Sequence, residues 1–272
     1  MRFGFAFLVA MTTVLHGQQP FYTDDADTTA RGQFHFEWSN QFSILQRSNF
    51  PALRQNADVF QLNYGVTDRL EMGVDSPLLT IFNAPGTAQP RVPVGVGDTN
   101  ITMKLAVRKE PECCSRWPAI TFAFAVETPT GNPETQLGSG LPDYGINSII
   151  QKKLPHACTL RVNNGLLFSG NTLTGVVGLA ARGLVYFGGM SVTRQFSRRL
   201  LFGIETNGAY TREDALGKGQ VQMQVGGKWR LGETSTFDFG VIRGRLANSP
   251  RLGLQVGLST DFALRPFTSR QR

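Results

Sequence analysis

From residue 220 to residue 231 the chain reads QVQMQVGGKWRL, and its side chains sort by parity. Val221, Met223, Val225 and Trp229 share one phase, and Gln220, Gln222, Gln224, Lys228 and Arg230 share the other. Successive strand residues point to opposite faces, so a period of two is a β-strand with one apolar and one polar surface. The alternation recurs along almost the whole chain. Its polar faces are too charged to form the dry core of a soluble sandwich, and its apolar faces are too continuous to meet water. Lipid outside and solvated polar groups inside satisfy both, which predicts an all-β fold: a transmembrane β-barrel of the antiparallel, up-and-down kind.

The N-terminus agrees with export. Arg2 precedes an apolar stretch from Phe3 to Leu15, followed by His16 and Gly17, which reads as a secretory signal peptide spanning 1–17. The stretch is too short for a spanning helix, and no later segment approaches the eighteen or so apolar residues that one needs. Export, strand periodicity and the lack of helical spans are expected together in the outer membrane of a Gram-negative cell. The formal charge of +7 comes from scattered basic residues without interleaved stacking aromatics, so no nucleic-acid partner is expected. The three cysteines, Cys113, Cys114 and Cys158, allow one bridge from either neighbour to Cys158 and leave one thiol over.

Twelve alternating segments are legible: 33–44, 56–64, 70–76, 99–109, 119–128, 143–153, 159–168, 184–196, 200–210, 220–231, 236–244 and 251–262. They place a barrel at 33–262, after an N-terminal periplasmic segment at 18–32 and before a polar tail at 263–272. Connections alternate between tight ones, such as 65–69 and 197–199, and longer ones rich in Gly, Pro, Asn and Thr, such as 77–98 and 129–142. Outer-membrane barrels have this asymmetry, with short periplasmic turns and longer external loops. Rings gather at strand ends, with Tyr64, Phe196, Trp229, Phe237 and Phe262 at one rim and Phe42, Tyr144 and Tyr210 at the other, as in interfacial girdles.

Chemistry has few candidates. His35 and His156 lack metal-ligand spacing with the cysteines, no Ser–His pair suits a membrane lipase, and catalytic residues, cofactors and metal are all expected to be absent. TDDAD at 23–27 lacks the glycine and the closing glutamate of a calcium loop, and reads as a segment tucked into the barrel mouth. GVGD at 95–98 precedes a strand, so it reads as a turn and not a phosphate cradle. The informative charges are those on the inward phase: Glu71, Asp75, Lys104, Arg108, Glu127, Arg161, Glu205, Lys228, Arg230, Asp238, Arg251 and Asp261. Unpaired in a dry core, such groups cost several kcal/mol apiece, so they require a wet lumen or a dense ion-pair network. Twelve strands tilted by about 40° give a backbone diameter of roughly 24 Å, which leaves a narrow path between side chains.

Several segments in order carry a family likeness. TDDADTTARGQFHFE (23–37), YGVTDRLEMGV (64–74), GVGDTNITMKL (95–105), ETPTGN (127–132) and GSGLPDYG (138–145) resemble the outer-membrane transporters of the MetA-pathway of phenol degradation family. The polar tail after Phe262 departs from that family's usual end on an aromatic strand. The resemblance implies a channel-like protein admitting aromatic or other apolar small molecules, and it transfers no binding residue. The reading is therefore a passive outer-membrane channel. Its partners are outer-membrane lipid, a small solute and, during biogenesis, the barrel-assembly machinery. Selection is expected from the lumen charges and from the loop at 77–98 folding inward. The alternatives are a lipid-modifying enzyme and a structural barrel with a plugged lumen.

Overall fold

The computed structural model describes residues 20–84, 90–111, 115–172, 180–212, 219–246 and 248–263. The expected signal peptide and most of the polar tail lie outside them. The strands are β1 (Phe34–Ile44), β2 (Arg54–Gly65), β3 (Leu70–Phe82), β4 (Val94–Val96), β5 (Thr99–Arg108), β6 (Ala119–Thr128), β7 (Asp143–Leu154), β8 (Cys158–Thr172), β9 (Ala180–Gln195), β10 (Leu200–Thr211), β11 (Gly219–Arg230), β12 (Ser235–Gly244) and β13 (Leu252–Phe262). Each pairs antiparallel with its neighbours, and β1 pairs with both β2 and β13, so the sheet closes on itself with Phe34 facing Tyr64 on one side and Phe262 on the other. Closure leaves no sheet edge to satisfy in lipid. Twelve strands make the wall, and β4 is a short strand clipped to β3 through Leu78–Val96 and Thr80–Val94. Among the described residues no helix is long and apolar enough to cross a membrane.

The wall is inverted relative to a soluble protein. On β11, Met223 is 60% exposed on the outside while Gln224, one residue on, is 1% exposed within. Leu254, Val256 and Leu258 on β13 and Ile101, Met103 and Leu105 on β5 likewise face outward. Tight turns at one end are held by hydroxyls: Leu70 N–H donates to Thr67 Oγ1 and Leu200 N–H to Ser197 Oγ, which satisfies backbone groups that the turn would orphan. The β7–β8 turn puts His156 and Ala157 at positive φ, matching the twist of a tight hairpin. Rings collect at this short-turn rim, where Phe34 lies 4.7 Å from Tyr64 and 5.5 Å from Phe262, and Phe42 meets Phe82 at the long-loop end.

Three features differ from expectation. First, β3 does not stop at Ser76 but runs through Pro77 to Phe82. Pro77 has no N–H to give, yet its carbonyl stays in the ladder by accepting from Gly97 N–H at 2.8 Å. Second, within 77–98 the residues 77–82 continue β3 and Val94–Val96 pairs back on it as β4, so both ends of the described part belong to the wall. The element that covers the inside here is the β6–β7 connection, whose Leu137 packs on inward-facing Leu79 and Ile81 with Ala52 and Ala84. Third, a bulge between Ala106 and Arg108 slips the phase of β5. Arg108 pairs with Ile120 and lies over the Trp117 ring at 5.4 Å, so it does not join the lumen set.

Candidate functional site in the lumen

The inward phase forms a polar wall, and the segment from Pro20 to Gln33 runs along it as a strap. Of the segment expected at 18–32, with TDDAD tucked into the barrel mouth, the residues from Pro20 on are described, and Phe21, Thr23, Asp24, Asp25 and Ala26 are buried against the inner wall. The strap enters beside β11, where Gln224 Nε2 donates to the Pro20 carbonyl and to Gln255 Oε1. Glu205 of β10 then takes the Tyr22 and Thr23 N–H groups at 3.0 and 2.6 Å, and Thr23 Oγ1 adds bonds to Glu205 and to Ser191 of β9. The Tyr22 hydroxyl reaches past β11, β12 and β13 and donates to Gln41 of β1. Charge-assisted bonds of this kind contribute about 1.5–3 kcal/mol each.

The acidic run sits at the centre. Lys104 Nζ of β5 lies 2.9 Å from Asp24 Oδ1 and 3.6 Å from Asp25 Oδ1. Thr121 of β6 donates to the Ala26 carbonyl and Gln151 of β7 to Asp27. Asn163 of β8, with its amide turned so that both ends are satisfied, accepts from Asp24 N–H at 2.7 Å and donates to the Asp24 carbonyl at 3.1 Å. The strap leaves along β3 and β2: Thr29 N–H donates to Glu71, and Gly32 N–H to the Gly65 carbonyl. Gly65 is required by close approach, because a Cβ there would lie 2.2 Å from the Ala30 carbonyl oxygen. Lys104 is the cation that the paired acids share, and Asp24 holds the shorter contact with it.

Between the strap and the short-turn mouth lies a cavity of about 330 Å³. Asp24, Asp25, Asp27, Glu71 and Lys104 line one side, and His35, Lys228, Thr236, Ser259 and Asp261 the other. His35 Nδ1 sits 2.7 Å from Asp261 Oδ1, and its Nε2 is 3.5 Å from Glu37. Further along the wall Asp75 accepts from Asn100, Arg161 Nε donates to Gln151, and Lys228 Nζ stands 3.8 Å from buried Asp238. Glu127 is buried near the long-loop mouth, opposite Asp143. Arg230 and Arg251 are exposed at the two rims. The strap therefore gathers Glu71, Lys104 and Glu205 of the sequence set, while Arg108 stands outside it.

The sequence set misses Gln41, Asn163 and Gln224, neutral residues whose inward parity was their only signal, and Tyr22, which lies outside the strands and carries no parity at all. One stretch of the inner wall is apolar: Ala123, Ala125, Ile149, Leu167 and Val185 cluster with Ala26 of the strap, and Phe187 packs against them. Among the described residues no cluster of His, Cys, Asp and Glu has the geometry to hold a metal ion. Cys158 carries a free thiol, and its two expected partners fall outside the described residues. No family model and no curated protein matches the chain.

Solved structures do match in fold. An outer membrane channel from Pseudomonas putida F1 superposes with a TM-score of 0.69 at 15% identity, over 88% of this chain and 98% of that one. The NanC porin gives 0.57 at 8% identity, over 84% and 98%. The KdgM porin gives 0.54 at 8% identity, over 84% and 99%. At these identities the likeness is one of fold alone.

Proposed function

We propose that this protein is an outer-membrane channel through which small solutes, apolar and aromatic ones among them, pass passively, with the strap setting its closed state. One observation carries the reading: the wall turns apolar side chains out and polar ones in, as at Met223 and Gln224, which suits lipid around a hydrated lumen. The signal-peptide pattern of 1–17 supports export, and insertion would then require the barrel-assembly machinery. The fold likeness to a channel and two porins supports the same reading. The apolar strip on β6–β9 supports a solute with an apolar face, since such a surface gains from contact with it. Selection falls to the charges that line the cavity.

The strap favours a second reading, a structural barrel whose lumen is permanently filled. Uptake separates the two. The full mature chain in liposomes should admit small aromatic solutes faster than protein-free liposomes do, and removal of residues 20–32 should raise that rate further. Uptake at the protein-free rate, with and without the strap, would leave the structural barrel standing. Hydrolysis of lipid acyl chains by the purified protein would favour the enzymatic alternative.

A further inference from the structure

The outer surface of β2, β1, β13 and β12 carries an arrangement that solute passage does not use. At the long-loop end the register places Phe82, Arg54, Ile44 and Leu252 side by side on the outward phase. On the next strand Val241 pairs with Leu254 and Ile242 with Gly253, so Arg243 continues that row beside Leu252. Arg54 and Arg243 therefore flank a floor of Ile44 and Leu252. Three strand spacings of about 4.8 Å set the two arginines roughly 14 Å apart. Both are exposed, and so are Arg245 just beyond Arg243, Arg47 after β1 and Arg251 before β13. The Arg54 guanidinium rests over the Phe82 ring, 5.8 Å from its centre, which orients it along the wall.

Among the described residues no acid forms an ion pair with Arg54 or Arg243. Among the described residues the outward carboxylate nearby is Asp58, which already accepts from Trp38 Nε1, Asn40 Nδ2 and Asn56 Nδ2. Below Arg243 and Leu252 the surface is apolar down β12 and β13, through Leu254, Val256 and Val241, whereas β2 and β1 below Arg54 carry Asn56, Asp58 and Asn40 before the wall turns apolar at Phe60 and Trp38. Cationic groups held above a lipid-facing apolar wall match an amphiphile with anionic headgroup and acyl chains, and guanidinium forks match phosphate oxygens two at a time.

Resting on the reading that the barrel sits in an outer membrane, we propose that Arg54 and Arg243 form a binding site for an outer-leaflet glycolipid bearing two phosphates. One phosphate lies at each arginine, and the acyl chains run down β13 and its neighbours. Arg47, Arg245 and Arg251 raise the local positive potential.

The test uses the full mature chain in detergent, titrated with bis-phosphorylated lipid A and with the same lipid after enzymatic dephosphorylation, and read by native mass spectrometry. The wild type should bind the phosphorylated form at least tenfold more tightly. R54Q/R243Q should lose that preference, whereas R194Q at the opposite rim should keep it. Retained heat-modifiable migration in gels would show that the double variant is folded, and R54K/R243K, which keeps the charge but not the fork, should fall between. Equal affinity of wild type and R54Q/R243Q, or equal affinity for both lipids, would overturn the site. Those outcomes in a protein that still inserts into bilayers and admits solute would remove the lipid site alone, whereas failure to insert would remove the membrane reading beneath it.

Discussion

Two segments cover the inside of the wall, the strap and the β6–β7 connection, and these two partial closures rest on different balances of forces. Across the middle, the strap is held mostly by polar bonds, Lys104 on Asp24 and Asp25, Glu205 on two backbone N–H groups and Glu71 on a third, with Phe21 and Ala26 adding apolar burial. At the long-loop end, one carboxylate and a small dry core hold the cap. Asp98 accepts from Gly131 and Ser139 N–H at 2.9 and 2.6 Å, and Leu137 buries against Leu79 and Ile81. Water can replace the strap's bonds one by one, because each partner is a group that is well solvated when released. The cap loses apolar burial when it lifts, about 1.5–3 kcal/mol for a side chain such as Leu137. The strap is thus the separable element, and the cap is an extension of the wall.

Breaking the centre of the strap should have the largest effect. Lys104→Met leaves Asp24 and Asp25 as buried acids without their cation, a loss of about 3–5 kcal/mol from the docked strap. Limited proteolysis within 20–32 should accelerate while the barrel's heat-modifiable band persists, and unchanged proteolysis would contradict the pairing. Asp98→Ala comes next, stranding two buried N–H groups of the cap at roughly 1–3 kcal/mol each. Cleavage within 129–142 should rise and cleavage within 20–32 should not, which keeps the two closures apart.

The smallest effect belongs outside both closures, at Glu110 in the β5–β6 connection. Burial alone would raise that carboxyl, but the Lys152 ammonium and the Lys153 N–H outweigh it and hold it below the usual glutamate range. A lowered folded-state value means the contribution is full at neutral pH and fades as pH falls through that value. Glu110→Gln should therefore cost roughly 1 kcal/mol in chemical unfolding at pH 7 and nothing in acid, with neither closure altered. A difference that persisted at low pH would remove the charge from the account.

The same two regions divide what the sequence revealed. The wall was legible because lipid outside and polar groups inside enforce parity; β6 occupies 119–128 as expected, and most other ends fall within two residues. Parity failed where the inside is not wet. Leu79 and Ile81 face inward against Leu137, so β3 beyond Pro77 is apolar on both phases and read as loop. Val185 and Phe187 do the same on β9, whose first residues were missed. Arg108 was misassigned because a bulge shifts the phase without leaving a mark in composition. TDDAD was recognisable as a segment for the barrel mouth, but its depth was not: Asp24 and Lys104 are eighty residues apart in sequence, and nothing local to either names the other. GVGD and GSGL, read as turn and loop edge, meet at Asp98 and Ser139, a contact that only closure of the barrel creates.

Conductance across a planar bilayer, compared between the mature chain and the same chain lacking residues 20–32, tests the separable strap most directly. The account predicts small or rare steps for the intact protein and frequent, severalfold larger steps once the strap is gone, from a barrel that still folds. Equal conductance in the two, with folding confirmed by heat-modifiable migration, would contradict it.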